Sequence, residues 1–271
     1  LQSIACFGRV SCSPYLLEHC AALGVTVSWF SESGRFMASV QGPTRGNVLL
    51  RRAQYRATDS PRQTADLARS FLIGKVANCR TILMRQARNA PLPALRQLRR
   101  EDDLETLRGL EGDAARTYFG AFDLLIRPQC RAGGMVFEQR SRRPPMNEVN
   151  CLLSFLYTLL AHDIRSACES VGLDPAVGFL HRERPGRASL ALDIMEEFRP
   201  YLADRLALSL INRQQLTARD FIRAPSGAVT MKEKSRKKVI VAWQERKKDD
   251  VEHPFLHERM AVGLVFFIQA R

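Results

Sequence analysis

Apolar residues recur at helical spacing through most of the chain, and only its first part departs from that rhythm. Residues 1–42 read as β-rich. Residues 3–10 are a strand candidate, and residues 25–30 and 35–40 alternate apolar with small polar positions around a turn at 31–34. Ser13 and Pro14 place an N-cap and an N1 proline at the head of a short helix closed by Gly24. A hairpin packed on one helix is predicted. Residues 42–46, Gly-Pro-Thr-Arg-Gly, read as a linker. Beyond it the period is helical. One long helix is predicted over 64–88, ended by Pro91 and Pro93, then one or two helices over 95–110 and a further helix carrying Glu111. The apolar run 147–171 reads as a central, buried helix. Helices over 189–199 and 200–212 meet at Pro200, and two more follow over 235–248 and 254–271. The predicted fold class is α+β: a small N-terminal β-rich module at 1–46 followed by a large all-helical domain at 47–271.

Composition adds a partner to this outline. The 271 residues suffice for one large or two modest domains, and 45% are hydrophobic, which allows a packed core. Lys and Arg number 41 against 28 Asp and Glu, a net charge of +13. Such an excess points to a polyanion, with nucleic acid first and a merely soluble basic protein as the alternative. Seven cysteines are scattered without a Cys-x-x-Cys pair, which excludes zinc-ribbon spacing and fits the reduced thiols of a cytoplasmic protein. No apolar run reaches the ~18 residues of a membrane span. The segment 260–269 is apolar but too short, and no signal peptide is visible ahead of it. A membrane is therefore not an expected partner.

One stretch gathers groups capable of chemistry. Residues 178–200 form a polar loop carrying His181 and then an amphipathic helix, for which Ser189 is the N-cap candidate. Leu190, Ile194 and Phe198 turn one face to the core. Asp193 shares another face with Glu196 or Glu197. Carboxylates so close repel unless a cation or a proton relieves them, and a histidine beside them completes the donor types of a hard-cation site. A plainer reading uses the same residues. Acids in a first helical turn often just complement the helix dipole, and a lone histidine beside Arg182 and Arg184 is often a surface residue. Spacing alone leaves both open.

Three segments carry a resemblance. The first is His181, Arg184-Pro185-Gly186-Arg187 and Leu190-Ala191-Leu192-Asp193-Ile194-Met195-Glu196-Glu197-Phe198-Arg199-Pro200. The second is Glu111-Gly112-Asp113-Ala114-Ala115-Arg116-Thr117-Tyr118-Phe119, and the third runs from Arg143 to Tyr157. In this order they resemble the CRISPR-associated adaptation integrase, the "Cas-one" nuclease family, in its type I-C variant. The resemblance covers most of the chain.

The resemblance implies a metal-dependent DNA endonuclease and integrase that captures foreign DNA and inserts it as spacers into a CRISPR array. Glu111, His181 and Glu196 are the implied catalytic residues and metal ligands. Asp193 stands behind them, orienting a water or His181, and on that reading Asp193→Asn should be partly rescued by excess Mn²⁺. Two carboxylates and one imidazole suit Mg²⁺ or Mn²⁺. Arg182, Arg184, Arg187 and Arg199, with Lys237 and Lys238 in a basic helix, are expected to contact DNA phosphates. Surface pairing of those arginines with Glu183 or Glu197 is the alternative. On the plainer reading Glu111 is a boundary carboxylate, solvated or salt-bridged to Arg108 or Arg116. The implied partners are double-stranded DNA (prespacer and repeat array), a second copy forming a homodimer through the β-rich module, and the small "Cas-two" protein. Against the family, the first few dozen residues and the last helical tail are expected to be missing. The central helix opens Asn147-Glu148-Val149-Asn150 where the family often has Asp-Pro-Val-Asn. The competing reading is a non-catalytic, basic helical DNA-binding scaffold.

Overall fold

Three strands and one helix make the N-terminal module in the computed structural model, which describes residues 3–32, 36–42, 48–86, 97–253 and 256–270. Strand β1 (Ser3–Phe7) lies parallel to β2 (Thr26–Phe30), and β2 pairs antiparallel with β3 (Phe36–Val40). The parallel pair needs a crossover, which α1 (Pro14–Ala22) supplies. Ser13 caps it as expected, its Oγ accepting from the Leu16 amide at 3.2 Å. Cys6, Cys20, Val25 and Val27 form a small core. Phe7 and Phe30 stack at 5.0 Å and meet Phe155 and His162 of the central helix at 5.9 and 5.2 Å. Residues 43–46 of the predicted linker and residues 33–34 of the predicted turn fall outside the described residues.

The rest is mainly helical, and its longer helices are α2 (Val48–Thr58), α3 (Pro61–Gln86), α4 (Leu104–Gly120), α5 (Glu148–Val171), α6 (Ser189–Phe198), α7 (Arg205–Asn212), α8 (Glu233–Lys248) and α9 (Val262–Ala270). Helix α5 is central, as its apolar run requires; Leu152, Leu153, Leu156, Leu160 and Ile164 are sealed from solvent. Asn147 caps it through the Asn150 amide at 2.8 Å, and Gly172, at φ +93°, ends it in the left-handed region. Helix α6 lies between α3 and α5, and α3 also packs on α4.

Several expectations are corrected. Glu111 does not begin a new helix; α4 runs unbroken from its Asp103 cap past that residue. Ser189 is not the N-cap of α6. It is buried in the first turn, and its hydroxyl donates to the Arg182 carbonyl at 3.3 Å. The helix predicted over 200–212 starts as a π-helical stretch, Arg199–Asp204, before α7. Pro200 lacks an amide hydrogen and crowds the carbonyl one turn back, and a widened turn accommodates it. Residues 259–261 form β7 (Arg259–Ala261), paired with β6 (Asp250–Glu252), before α9 begins. A second hairpin, β4 (Phe221–Arg223) and β5 (Val229–Met231), was also not anticipated. Strands of three residues are too short to show a period. Pro91, Pro93, Leu95 and Pro254 lie outside the described residues. No described helix is long and apolar enough to cross a membrane.

Candidate active site

The loop before α6 is held from three sides. From α2, the buried Gln54 donates to the carbonyls of Asp174 and Val177 at 2.8 Å each and accepts from the Asp174 amide at 2.9 Å. From α4, Arg108 Nε donates to the Leu180 carbonyl at 2.8 Å. From α6, Asp193 does the most. Its Oδ2 accepts from the amides of Phe179 and Leu180 at 2.6 and 3.0 Å. Its Oδ1 accepts from the His181 amide at 2.9 Å and pairs with His181 Nδ1 at 2.6 Å. The ring nitrogen Nδ1 is thereby committed, and Nε2 is the nitrogen left to face the site.

Gly178 makes this latch possible. A Cβ there would lie 2.7 Å from Ser189 C and Cβ and 2.8 Å from Asp193 Oδ2. Gly178→Ala is expected to destabilise the fold by about 1–3 kcal/mol, the usual cost of overpacking. Urea unfolding checks this; an unchanged midpoint would mean that the loop does not need so close an approach.

Glu111 of α4 and Glu196 of α6 converge on one cation, Lys75 of α3. The ammonium contacts Glu111 Oε1 and lies 2.6 Å from Glu196 Oε2. Arg199 Nη1 holds Glu196 Oε1 at 2.6 Å, and His181 Nε2 is 3.9 Å from that same oxygen. Glu196 is 2% exposed. Burial would raise its pKa, but Arg199, Lys75 and His181 outweigh it and hold the carboxyl down at about 2. Burial likewise disfavours the Lys75 charge, yet Glu196 and Glu111 lift its pKa above the ordinary value.

A second buried group braces Arg199 from behind. Tyr118 and Tyr157 donate to Asp204 at 2.9 and 2.7 Å, and the guanidinium groups of Arg199 and Arg140 lie over the Tyr157 ring, 5.1 and 5.3 Å from its centre. Burial raises the Asp204 carboxyl to about 6, and the two hydroxyls work against that rise.

The donor set fits a divalent ion in kind. It offers two carboxylates and an imidazole Nε2. Glu196 Oε2 is sealed from solvent, and its contact with Lys75 is an ion pair without hydrogen-bond alignment, which leaves a lone pair uncommitted. As the side chains stand, no three His, Cys, Asp or Glu groups among the described residues are placed to hold a metal, and the Lys75 ammonium contacts both glutamates.

The site opens into a cavity of about 990 Å³ lined by Glu111, His181 and Glu196 together with Arg142, Arg143, Arg165, Arg184 and Arg187. Arg184 is exposed and Arg187 half-buried. Arg182 is turned to Glu105 at 2.9 Å, and Arg199 to Glu196, so neither pairs with Glu183 or Glu197 in the way the alternative supposed. Arg108 and Arg116 contact Glu105 and Asp113, not Glu111. Lys237 and Lys238 lie on the exposed face of α8, away from the cavity lining, with Lys237 bridged to Glu233 at 2.8 Å. Sequence reasoning missed Lys75, Gln54, Tyr118, Tyr157 and Asp204. For Lys75 a signal existed: it falls three residues after Leu72 and four before Cys79, on the buried stripe of α3.

Fold and site together define a helical protein with a carboxylate–imidazole centre beside a basic cavity. The family model described as "CRISPR associated protein Cas1" matches residues 1–245, and the chain belongs to that family. It is 54% identical, over all of its own length and 82% of the relative's, to a protein of Chlorobaculum tepidum called CRISPR-associated endonuclease Cas1 1. It is 53% identical, over 99% of its length and 82% of the relative's, to CRISPR-associated endonuclease Cas1 2 of Rhodospirillum rubrum. Among solved structures, a CAS1 protein from Thermotoga maritima shares the fold with a TM-score of 0.86 at 24% identity, covering 99% of this chain and 84% of the other. A casposase bound to integration product also gives 0.86 at 24% identity, with 98% and 75% covered.

Proposed function

We propose that the chain is a divalent-metal-dependent DNA endonuclease and integrase that inserts foreign DNA as spacers into a CRISPR array. The observation that carries this reading is that Glu111 and Glu196, in a member of the Cas1 family, close around one cation with His181 beside them. Glu111, His181 Nε2 and Glu196 would hold Mg²⁺ or Mn²⁺. When bound, the ion would polarise the scissile phosphate and stabilise charge on the leaving oxygen. The protein's own groups do the remaining work. Asp193 fixes the ring and tautomer of His181, Arg199 holds Glu196 ionised, and Arg184 and Arg187 offer donors to phosphate oxygens along the cavity. Water would be the nucleophile in cleavage, and a DNA 3′-hydroxyl in strand transfer.

The net charge of +13 supports double-stranded DNA as the substrate, with Lys237 and Lys238 as outlying backbone contacts. Similar structures described as Cas6-RT-Cas1–Cas2 complexes support a small Cas2 partner for this chain as well. Residues 1–46 then serve as the dimerisation module of a homodimer and 47–271 as the catalytic domain, acting on DNA in the cytoplasm. One observation favours the rival reading of a non-catalytic scaffold: Lys75 and Arg199 already neutralise the carboxylates as a plain ion-pair network would. His181→Ala separates the two. It should abolish Mn²⁺-dependent cleavage and strand transfer while leaving DNA affinity and melting temperature near those of the parent. A variant that integrates at the parental rate would overturn the assignment.

A further inference from the structure

Lys75 has no chemical role in that reading, yet it occupies the centre of the site. The side chain is 8% exposed and bridges carboxylates from two different helices. Its stem descends from the buried stripe of α3, among Leu72, Val76 and Cys79. A buried ammonium is tolerated only when paired, and a buried carboxylate pair only when a cation stands between its members. In the metal-free protein each therefore requires the other. Arg199 cannot replace Lys75, because its contact is with the other oxygen of Glu196 and it makes no ion pair with Glu111 among the described contacts.

A divalent cation held by Glu111 and Glu196 needs the oxygens that Lys75 engages. Ammonium and metal so close in a poorly screened site repel strongly. A lysine can resolve this without moving its helix, because four rotatable methylenes carry a compact charge. An arginine with a fixed planar fork could do so less readily.

We propose that Lys75 is the resident counter-ion of the site: it holds Glu111 and Glu196 in register in the metal-free protein and is displaced when a divalent cation enters. The inference rests on those two glutamates being the ligands. Lys75 is then a positioning residue that acts through them and sets how tightly the site takes its metal. It preserves the pairing of buried Glu196 with half-buried Glu111 when no metal is present and lowers metal affinity as a consequence.

The experiment is calorimetric titration of the full chain with Mn²⁺ alone, without DNA, alongside thermal unfolding with and without Mn²⁺. Lys75→Met keeps most of the unbranched stem and removes the charge. It should bind Mn²⁺ on the order of tenfold tighter or more, since a competing charge is gone. Its metal-free melting temperature should fall below that of the parent, and Mn²⁺ should raise it by more than it raises the parent's. Lys75→Arg keeps the charge in a form less easily displaced and should bind Mn²⁺ more weakly than the parent; it provides the test if Lys75→Met does not fold without metal. Equal Mn²⁺ affinity in parent and both variants would overturn the counter-ion role while leaving the metal site standing. Weaker binding by Lys75→Met would do the same. Folded protein that takes up no Mn²⁺ in any of the three forms would overturn the ligand assignment itself, and this inference with it.

Discussion

Glu196→Gln should leave no detectable strand transfer at any Mn²⁺ concentration. The glutamate is buried, ionised and shared by Lys75, Arg199 and His181, so a neutral amide removes both a proposed ligand and the counter-charge of two buried cations. Breaking a buried ion pair from one side typically costs about 3–5 kcal/mol, so the variant should also melt earlier. Lost activity alone would not separate these effects, but Glu111→Gln does. Glu111 has 32% of its side chain exposed and meets only one of the two cations, so its amide should fold with a smaller penalty and be just as inactive. The measurements are a gel assay of strand transfer across a Mn²⁺ series and thermal unfolding of both variants. Activity in a folded Glu111→Gln or Glu196→Gln protein would show that these carboxylates are an ion-pair network and not ligands.

Much of this centre could be read from the chain, for a specific reason. The three segments that carry the resemblance meet in space. Tyr118, near the end of the Glu111 segment, and Tyr157, at the end of the Arg143–Tyr157 segment, both donate to Asp204, five residues beyond Arg199. Helix period placed Leu190, Ile194 and Phe198 in the core, and all three are buried. What stayed hidden depended on tertiary contact. Lys75 looks like an ordinary helical lysine until α4 and α6 bring carboxylates to it. Gln54 has no local motif, since its partners lie in a loop more than a hundred residues away. The β4–β5 and β6–β7 hairpins are too short for alternation to register, and the π-helical turn after Pro200 depends on packing that a periodic pattern does not encode.

Asp193→Asn should be severe, and excess Mn²⁺ should not restore it. Had Asp193 merely oriented His181 through one oxygen, an amide of equal size could take its place and more metal could compensate. The geometry is otherwise. Both oxygens are acceptors, three of their four partners are backbone amides that can only donate, and the side chain is wholly buried. An asparagine turns an NH₂ toward donors on one side whichever way it is flipped. At least one backbone-amide hydrogen bond to a charged acceptor is lost outright, worth about 1.5–3 kcal/mol, and the amide it leaves is unsatisfied; on the Oδ1 side His181 Nδ1 keeps its bond only by turning acceptor, which moves the ring proton to Nε2. A total of roughly 2–4 kcal/mol follows if the loop relaxes in part. That relaxation is the functional damage, because the latch that orders residues 179–181 is the one that aims His181. Asp193→Asn should therefore lose both stability and strand transfer, with a flat response to added Mn²⁺, whereas His181→Ala should lose strand transfer and keep its stability. Urea unfolding and a Mn²⁺ titration of strand transfer on the two variants decide the matter. A stable Asp193→Asn protein whose activity climbs back with Mn²⁺ would show that the loop holds its shape without the carboxylate.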